Sequence, residues 1–186
     1  GDSIVLDPYD IYQMNKHLGV KFEELLNHKI SLHAEEGLIL PNLKMQGKED
    51  GCAFLNEEGR CTIHAFRPGF CRLFPLGRIY EDGSFSYYLQ SQECTKANRT
   101  KVKVNKWLGI SDLKQYENFV NEWHYFLKDT KALLLRLSDA QLNQELSMYL
   151  LNRFYTTAFD LEIDFYKQFD ERMTQMKKLI YTLGRQ

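Results

Sequence analysis

Long apolar runs are missing from this sequence of 186 residues. The densest, Ala132–Leu135, stops at Arg136, far short of the roughly 20 apolar residues a membrane-spanning helix needs. Charge of one sign is lacking as well. The 24 Lys and Arg nearly balance the 25 Asp and Glu, leaving a formal net charge of −1, so whole-chain attraction to nucleic acid or to a membrane is not expected. No signal peptide is read at the start, because Asp2, Asp7 and Asp10 interrupt any apolar stretch. Common catalytic and nucleotide-binding signatures are absent too: no GxGxxG, no Walker loop, no Gly-x-Ser-x-Gly and no His-Glu-x-x-His. What remains is 44% hydrophobic and 26% charged, the mix of a globular chain long enough to bury a core.

Prolines are few and one-sided. All four lie at or before Pro75, and only two glycines, Gly109 and Gly184, follow residue 100. The cysteines are equally lopsided: Cys52, Cys61, Cys71 and Cys94, with 8, 9 and 22 residues between them. Clustered thiols in a reducing cytoplasm are more often metal ligands than disulfides, and cytoplasmic is the compartment expected here. A mature secreted chain would read the same way, so disulfides stay open as an alternative. No pair forms the Cys-x-x-Cys knuckle of common zinc modules.

The chain divides near residue 106, giving an N-terminal cysteine domain over 1–106 and a helical extension over 107–186. Asp7-Pro8-Tyr9-Asp10 predicts a helix start, with Asp7 as cap, Pro8 at its first position and acidic Asp10 in its first turn. Ile11, Met14 and Leu18 form its apolar stripe and Gly19 ends it. A short helix over 21–26 follows. Strands over 30–35 and 38–45 around Glu36-Gly37, and over 77–80 and 85–89 around Asp82-Gly83, read as two hairpins. In the second half, Tyr116, Phe119, Val120, Trp123, Phe126, Leu127, Leu134 and Leu137 recur at three-and-four spacing. Ser138-Asp139-Ala140-Gln141 reads as a capping box with Ser138 as the cap, opening a stripe of Leu142, Leu146, Tyr149, Leu150, Phe154 and Ala158. A last stripe runs Leu161, Phe165, Phe169, Met173, Met176, Ile180 and Leu183, with Gly184 at its end. The expected fold class is α+β: a small cysteine-rich region with short β-hairpins, plus a C-terminal antiparallel helical bundle.

The chemistry concentrates between Gly51 and Pro75. Cys52-Ala53-Phe54-Leu55 is followed by Cys61-Thr62-Ile63-His64, Arg67-Pro68 and Cys71-Arg72-Leu73-Phe74-Pro75, with Cys94 beyond. Thiolates serve either zinc or an iron–sulfur cluster. Arg60, Arg67 and Arg72 neighbour the cysteines and are expected to favour the thiolate form. The other histidines, His17, His28, His33 and His124, share no spacing. A Cys71–His64 nucleophile pair lacks a third partner. Lys96, Arg99, Lys101, Lys103 and Lys106 form a basic stretch read as a solvated face.

This pattern resembles the CxxCxxCC cysteine-cluster family of YkgJ type, described as zinc- or iron-chelating and also as iron–sulfur-cluster-containing. The likeness spans about residues 2–108 and is most specific through Arg67–Pro75. It implies metal ligation by Cys52, Cys61, Cys71 and Cys94. The family opens with a dense Cys-x-x-Cys-x-x-Cys-Cys run before the Asp-Pro-Tyr-Asp segment, and the sequence at hand starts after that place. Part of the family's ligand set is therefore missing from it, and weaker metal binding, or none, is expected of these four cysteines alone. His64 stands where the family usually has Tyr and is a fifth candidate ligand. A flagellin lysine methylase shares the domain, so a protein-lysine methylase-like enzyme is the second reading. A structural zinc module that binds a partner protein is the third.

Overall fold

The structure is a computed structural model and describes residues 4–47, 50–92, 100–137 and 139–185. Helix α1 (Pro8–Leu18) begins as the sequence predicts. Asp7 and Asp10 exchange side-chain to backbone hydrogen bonds in a capping box, and Gly19 ends the helix in the left-handed conformation at φ 67°. Ile11 and Met14 are buried, whereas Leu18 is exposed, so the expected stripe ends one turn early. Helix α2 (Phe22–His28) buries Phe22 and Leu25.

Strands β1 (Ile30–Glu35) and β2 (Leu38–Leu43) pair antiparallel around Glu36 and Gly37, both at positive φ. That is the backbone a two-residue turn of the right twist demands. Strands β5 (Leu76–Glu81) and β6 (Ser84–Leu89) repeat the device with Asp82 and Gly83. The chain entry at residues 4–6 lies against β2, with Leu6 N donating to Pro41 O at 2.8 Å and Leu43 N to Ile4 O at 3.0 Å. Between the hairpins the chain has little regular structure. There are two-residue strands β3 (Met45–Gln46) and β4 (Gly51–Cys52), a 3₁₀ turn at His64–Phe66, and helix α3 (Gly69–Leu73).

Helices α4 (Val104–Leu108), α5 (Leu113–Arg136), α6 (Ala140–Leu151) and α7 (Phe165–Leu183) complete the chain. Asn143 at the start of α6 reaches the Leu134 and Leu137 carbonyls at the end of α5, and Phe154 beyond α6 packs on Trp123 and Phe126. Helices α5 and α6 therefore run antiparallel. Helix α7 runs with α5, since Phe165 and Phe169 meet Phe119 while Gly184 approaches Leu133. The α+β class with a C-terminal antiparallel bundle is what the chain adopts.

Three readings of the stripes need correction. The α6 cap is Asp139, whose carboxylate accepts from Gln141 N and Leu142 N; Ser138 lies outside the described residues. Tyr149, Leu161 and Ala158 are exposed. Tyr149 lies off the face that Leu146, Ser147, Leu150 and Leu151 bury, the π-helical turn at Asn152–Thr156 continues that face with Phe154 and Tyr155, and Ala158 and Leu161 lie beyond it in the non-helical stretch before α7. Gly184 caps α7 at φ −71°, a conformation open to any residue.

One hydrophobic cluster extends from Leu6 to Met176 and joins residues from both halves of the chain. Phe169, 1% exposed, lies at its centre against Phe119, Trp123, Phe154 and Phe165. Phe169→Ala is expected to cost about 3–5 kcal/mol. Urea unfolding midpoints check this, and a change under about 1 kcal/mol would contradict the packing described.

Candidate metal centre

Short-range hydrogen bonds shape the cysteine segment. Cys52 ends β4 opposite Met45, and its carbonyl accepts from Leu55 N at 2.9 Å. The chain then turns through Asn56, whose side-chain oxygen accepts from Glu58 N and Arg60 N. It returns beside itself, with Leu55 bridging Cys61 and Thr62 N donating to Phe54 O at 2.8 Å. This fold-back flanks the turn with Cys52 and Cys61. Phe54 and Ile63 bury their side chains and hold the loop on the core.

Cys71 is carried by α3, a five-residue helix too short to persist alone. Three contacts position it. Asp10 Oδ1 accepts from Gly69 N at 2.8 Å in a buried hydrogen bond spanning 59 residues. Arg72 donates to the carbonyls of Arg67, Ala65 and Leu108, tying α3 to the preceding turn and to α4. Trp107 Nε1 donates to Phe74 O at 3.1 Å. Gly69 has no substitute here, since a Cβ would lie 2.0 Å from the Tyr116 hydroxyl.

Cys52, Cys61 and Cys71 are free thiols, each partly buried against the core. Burial pushes the Cys71 thiol up to about 12. The Asp10 carboxylate and the Cys52 and Cys61 thiols push in the same direction, and Arg67 pulls weakly the other way. The three sulfur groups thus share one electrostatic neighbourhood. Among the described residues, no three His, Cys, Asp or Glu side chains are drawn together as a metal-holding group. Cys94 lies outside the described residues, as do Lys96 and Arg99 of the basic stretch.

The expectation that nearby arginines favour the thiolate is overturned at Cys71. Arg60 is exposed and meets Glu58, Arg72 spends its donors on carbonyls, and desolvation outweighs Arg67. His64 is exposed, and its Nε2 accepts from Arg67 Nη1 at 3.0 Å.

The sequence reading missed a buried polar group beneath this segment. Asp7 and Asp10 are raised together, Asp10 to about 6, chiefly because burial disfavours their charge; Arg78 opposes the rise. The Arg78 guanidinium lies over the rings of Phe85, Tyr87 and Tyr116. The Asp-Pro-Tyr-Asp spacing signals a helix cap, and nothing in that spacing signals that Asp10 also reaches Gly69.

With this geometry in place, comparison with known proteins is informative. A family model, CxxCxxCC, described as "Putative zinc- or iron-chelating domain", matches residues 2–100. No curated protein and no solved structure matches the chain.

Two outcomes are expected from the site's construction. Gly69→Ala is expected to lose about 1–3 kcal/mol through overpacking, read from urea midpoints, with Tyr116→Phe in the same chain restoring part of it. The second concerns pH. A carboxylate raised in the folded state takes up protons that the unfolded chain does not, so its contribution to stability falls as pH rises from about 4 through about 6. Unfolding midpoints should therefore decline over that window in the natural chain relative to Asp10→Asn. A flat difference would show that Asp10 is not desolvated.

Proposed function

The chain belongs to the CxxCxxCC family, and from that premise we propose that it is a metal-binding protein whose zinc ion or iron–sulfur cluster is held by the thiolates of Cys52, Cys61, Cys71 and Cys94. The observation that carries this reading is the family match over residues 2–100, within which Cys52 and Cys61 flank one fold-back turn. The donor chemistry fits: sulfur ligands suit zinc and iron–sulfur centres and are poor partners for hard cations. The free thiols agree with a reducing compartment, and the cytoplasm is the one proposed. Among the described residues, no helix is long and apolar enough to cross a membrane.

The role that fits this site best is structural. Among the described residues of 44–75 the regular elements are two two-residue strands, a 3₁₀ turn and the five-residue α3, with few buried side chains of their own. Such a segment gains most from a metal clamp, because bound metal contributes its binding free energy to folding. The protein's part is to supply ligands, to hold α3 through Asp10 and Arg72, and to give up the Cys71 proton on binding. Arg67 supplies positive charge near the Cys71 sulfur.

Anaerobic reconstitution with zinc, or with iron and sulfide, tests the proposal. One zinc or one cluster per chain is expected, with proton release on uptake. Cys71→Ser should weaken retention at least tenfold, while His64→Ala should leave it unchanged. Failure to retain either metal under anaerobic conditions would refute the reading.

A further inference from the structure

A cavity of about 130 Å³ opens between α1, the 3₁₀ turn and α3, the residues just after α4, and the start of α5. One water needs only about 10–15 Å³, and drug-sized ligands fill about 300–1,000 Å³. The space therefore suits a ligand of a few heavy atoms. Its lining includes none of the cysteines, so a ligand bound there does not compete with the metal proposed above for the thiols.

The wall carries donors with nothing to donate to. Tyr116 is 1% exposed and its hydroxyl has no hydrogen-bond partner. Arg78 interacts with that hydroxyl and, as a cation, can only donate towards it, so the hydroxyl's own proton is left without an acceptor. Arg67 Nε is buried and unpartnered, while its Nη1 reaches only His64. A buried polar group without a partner costs on the order of 1–3 kcal/mol, so this arrangement calls for an acceptor.

Charge points the same way. Arg67 and Arg72 both line the cavity, and among the described residues neither forms an ion pair. Arg72 spends its donors on neutral carbonyls, which leaves its charge uncompensated by contact. Asp10 is the single carboxylate on the wall, and its two oxygens accept from Asp7 N and Gly69 N. Ser111 adds a hydroxyl. Two guanidiniums against one occupied carboxylate leave a net positive cavity with free donors, hostile to a cation and poorly matched by a neutral ligand.

We propose that this cavity is a binding site for a small oxyanion, either a free ion or the anionic end group of a larger ligand, held by Arg67, Arg72, Tyr116 and Ser111. The test uses the chain as it stands, with potassium phosphate compared with potassium chloride at matched ionic strength. Calorimetry should show saturable one-site binding. At tenfold excess over Kd, phosphate should raise Tm by about 3–6 °C. Arg67→Gln should weaken binding at least tenfold. Tyr116→Phe, which keeps the buried ring and removes the hydroxyl, should weaken it about three- to tenfold. Equal affinity for glycerol phosphate assigns the site to a phosphoryl group on a larger ligand. Preference for inorganic phosphate assigns it to the free ion, and binding of acetate instead assigns it to a carboxylate. Equal melting in all these salts and in chloride, with no binding heat, overturns the proposal. So does saturable binding that both variants leave intact, and binding that a chelator abolishes while both variants retain it is binding to a metal and overturns it as well.

Discussion

The Asp10 carboxylate is the joint on which the cysteine segment turns. It is 5% exposed and touches no lysine or arginine within ion-pair distance among the described residues. A buried carboxylate left bare would be costly. Here one oxygen accepts from Asp7 N at 3.1 Å and the other from Gly69 N at 2.8 Å, at the end of α1 where the helix dipole favours negative charge. Hydrogen bonds to a charged group contribute about 1.5–3 kcal/mol each. The bond to Gly69 thus converts the position of α1 into the position of α3, and with it the position of Cys71.

What fixes α1 comes from the other end of the chain. The Tyr9 ring meets Phe165 at 5.1 Å, Tyr166 at 5.6 Å and Tyr116 at 5.8 Å, so α1 docks on α5 and α7 through aromatic contacts. Tyr155, brought inside by the π turn, donates to Leu6 O at 2.9 Å across 149 residues and secures the chain just before the cap. The irregular turn leaves carbonyls without helical partners, and Arg172 answers them by donating to Arg153 O, Thr157 O and Ala158 O. Burial and the nearby Arg153 pull Arg172 down to about 10, which still leaves it charged at neutral pH. The helical half is therefore the frame that sets the register of the cysteine segment.

The parts legible in the sequence are those with local causes. Asp7-Pro8 and Gly19 bound α1, and Glu36-Gly37 and Asp82-Gly83 set both hairpin turns to within a residue or two. The three aromatic-rich stripes announced three long helices. The errors have non-local causes. Tyr149 fails because α6 docks through its Leu146, Ser147, Leu150 and Leu151 face, and Ala158 fails because the helix has ended before it. Leu18 fails because helix and core end at different places. At the site, the block around Cys71 was legible as the family's pattern, while among the described residues the cysteines are not drawn together as a metal-holding group. The Asp10–Gly69 bond and the cavity beside it were not, because they join α1, α3 and α5, which are distant in sequence.

The chemistry of Cys71 derives from the same frame. Because α3 is pressed against the core, its thiol is half withdrawn from water beside the Asp10 carboxylate, and it holds its proton up to about 12. At neutral pH the protonated thiol therefore prevails. For the centre proposed on these cysteines, a metal must displace that proton through the strength of its own bond to sulfur. Zinc and iron–sulfur centres form such bonds, whereas magnesium and calcium, which prefer oxygen, do not. Desolvation at Cys71 keeps the thiol protonated and so less nucleophilic than a free cysteine. Arg67 belongs to both neighbourhoods: it lowers the Cys71 thiol slightly on one side and lines the donor-rich cavity on the other.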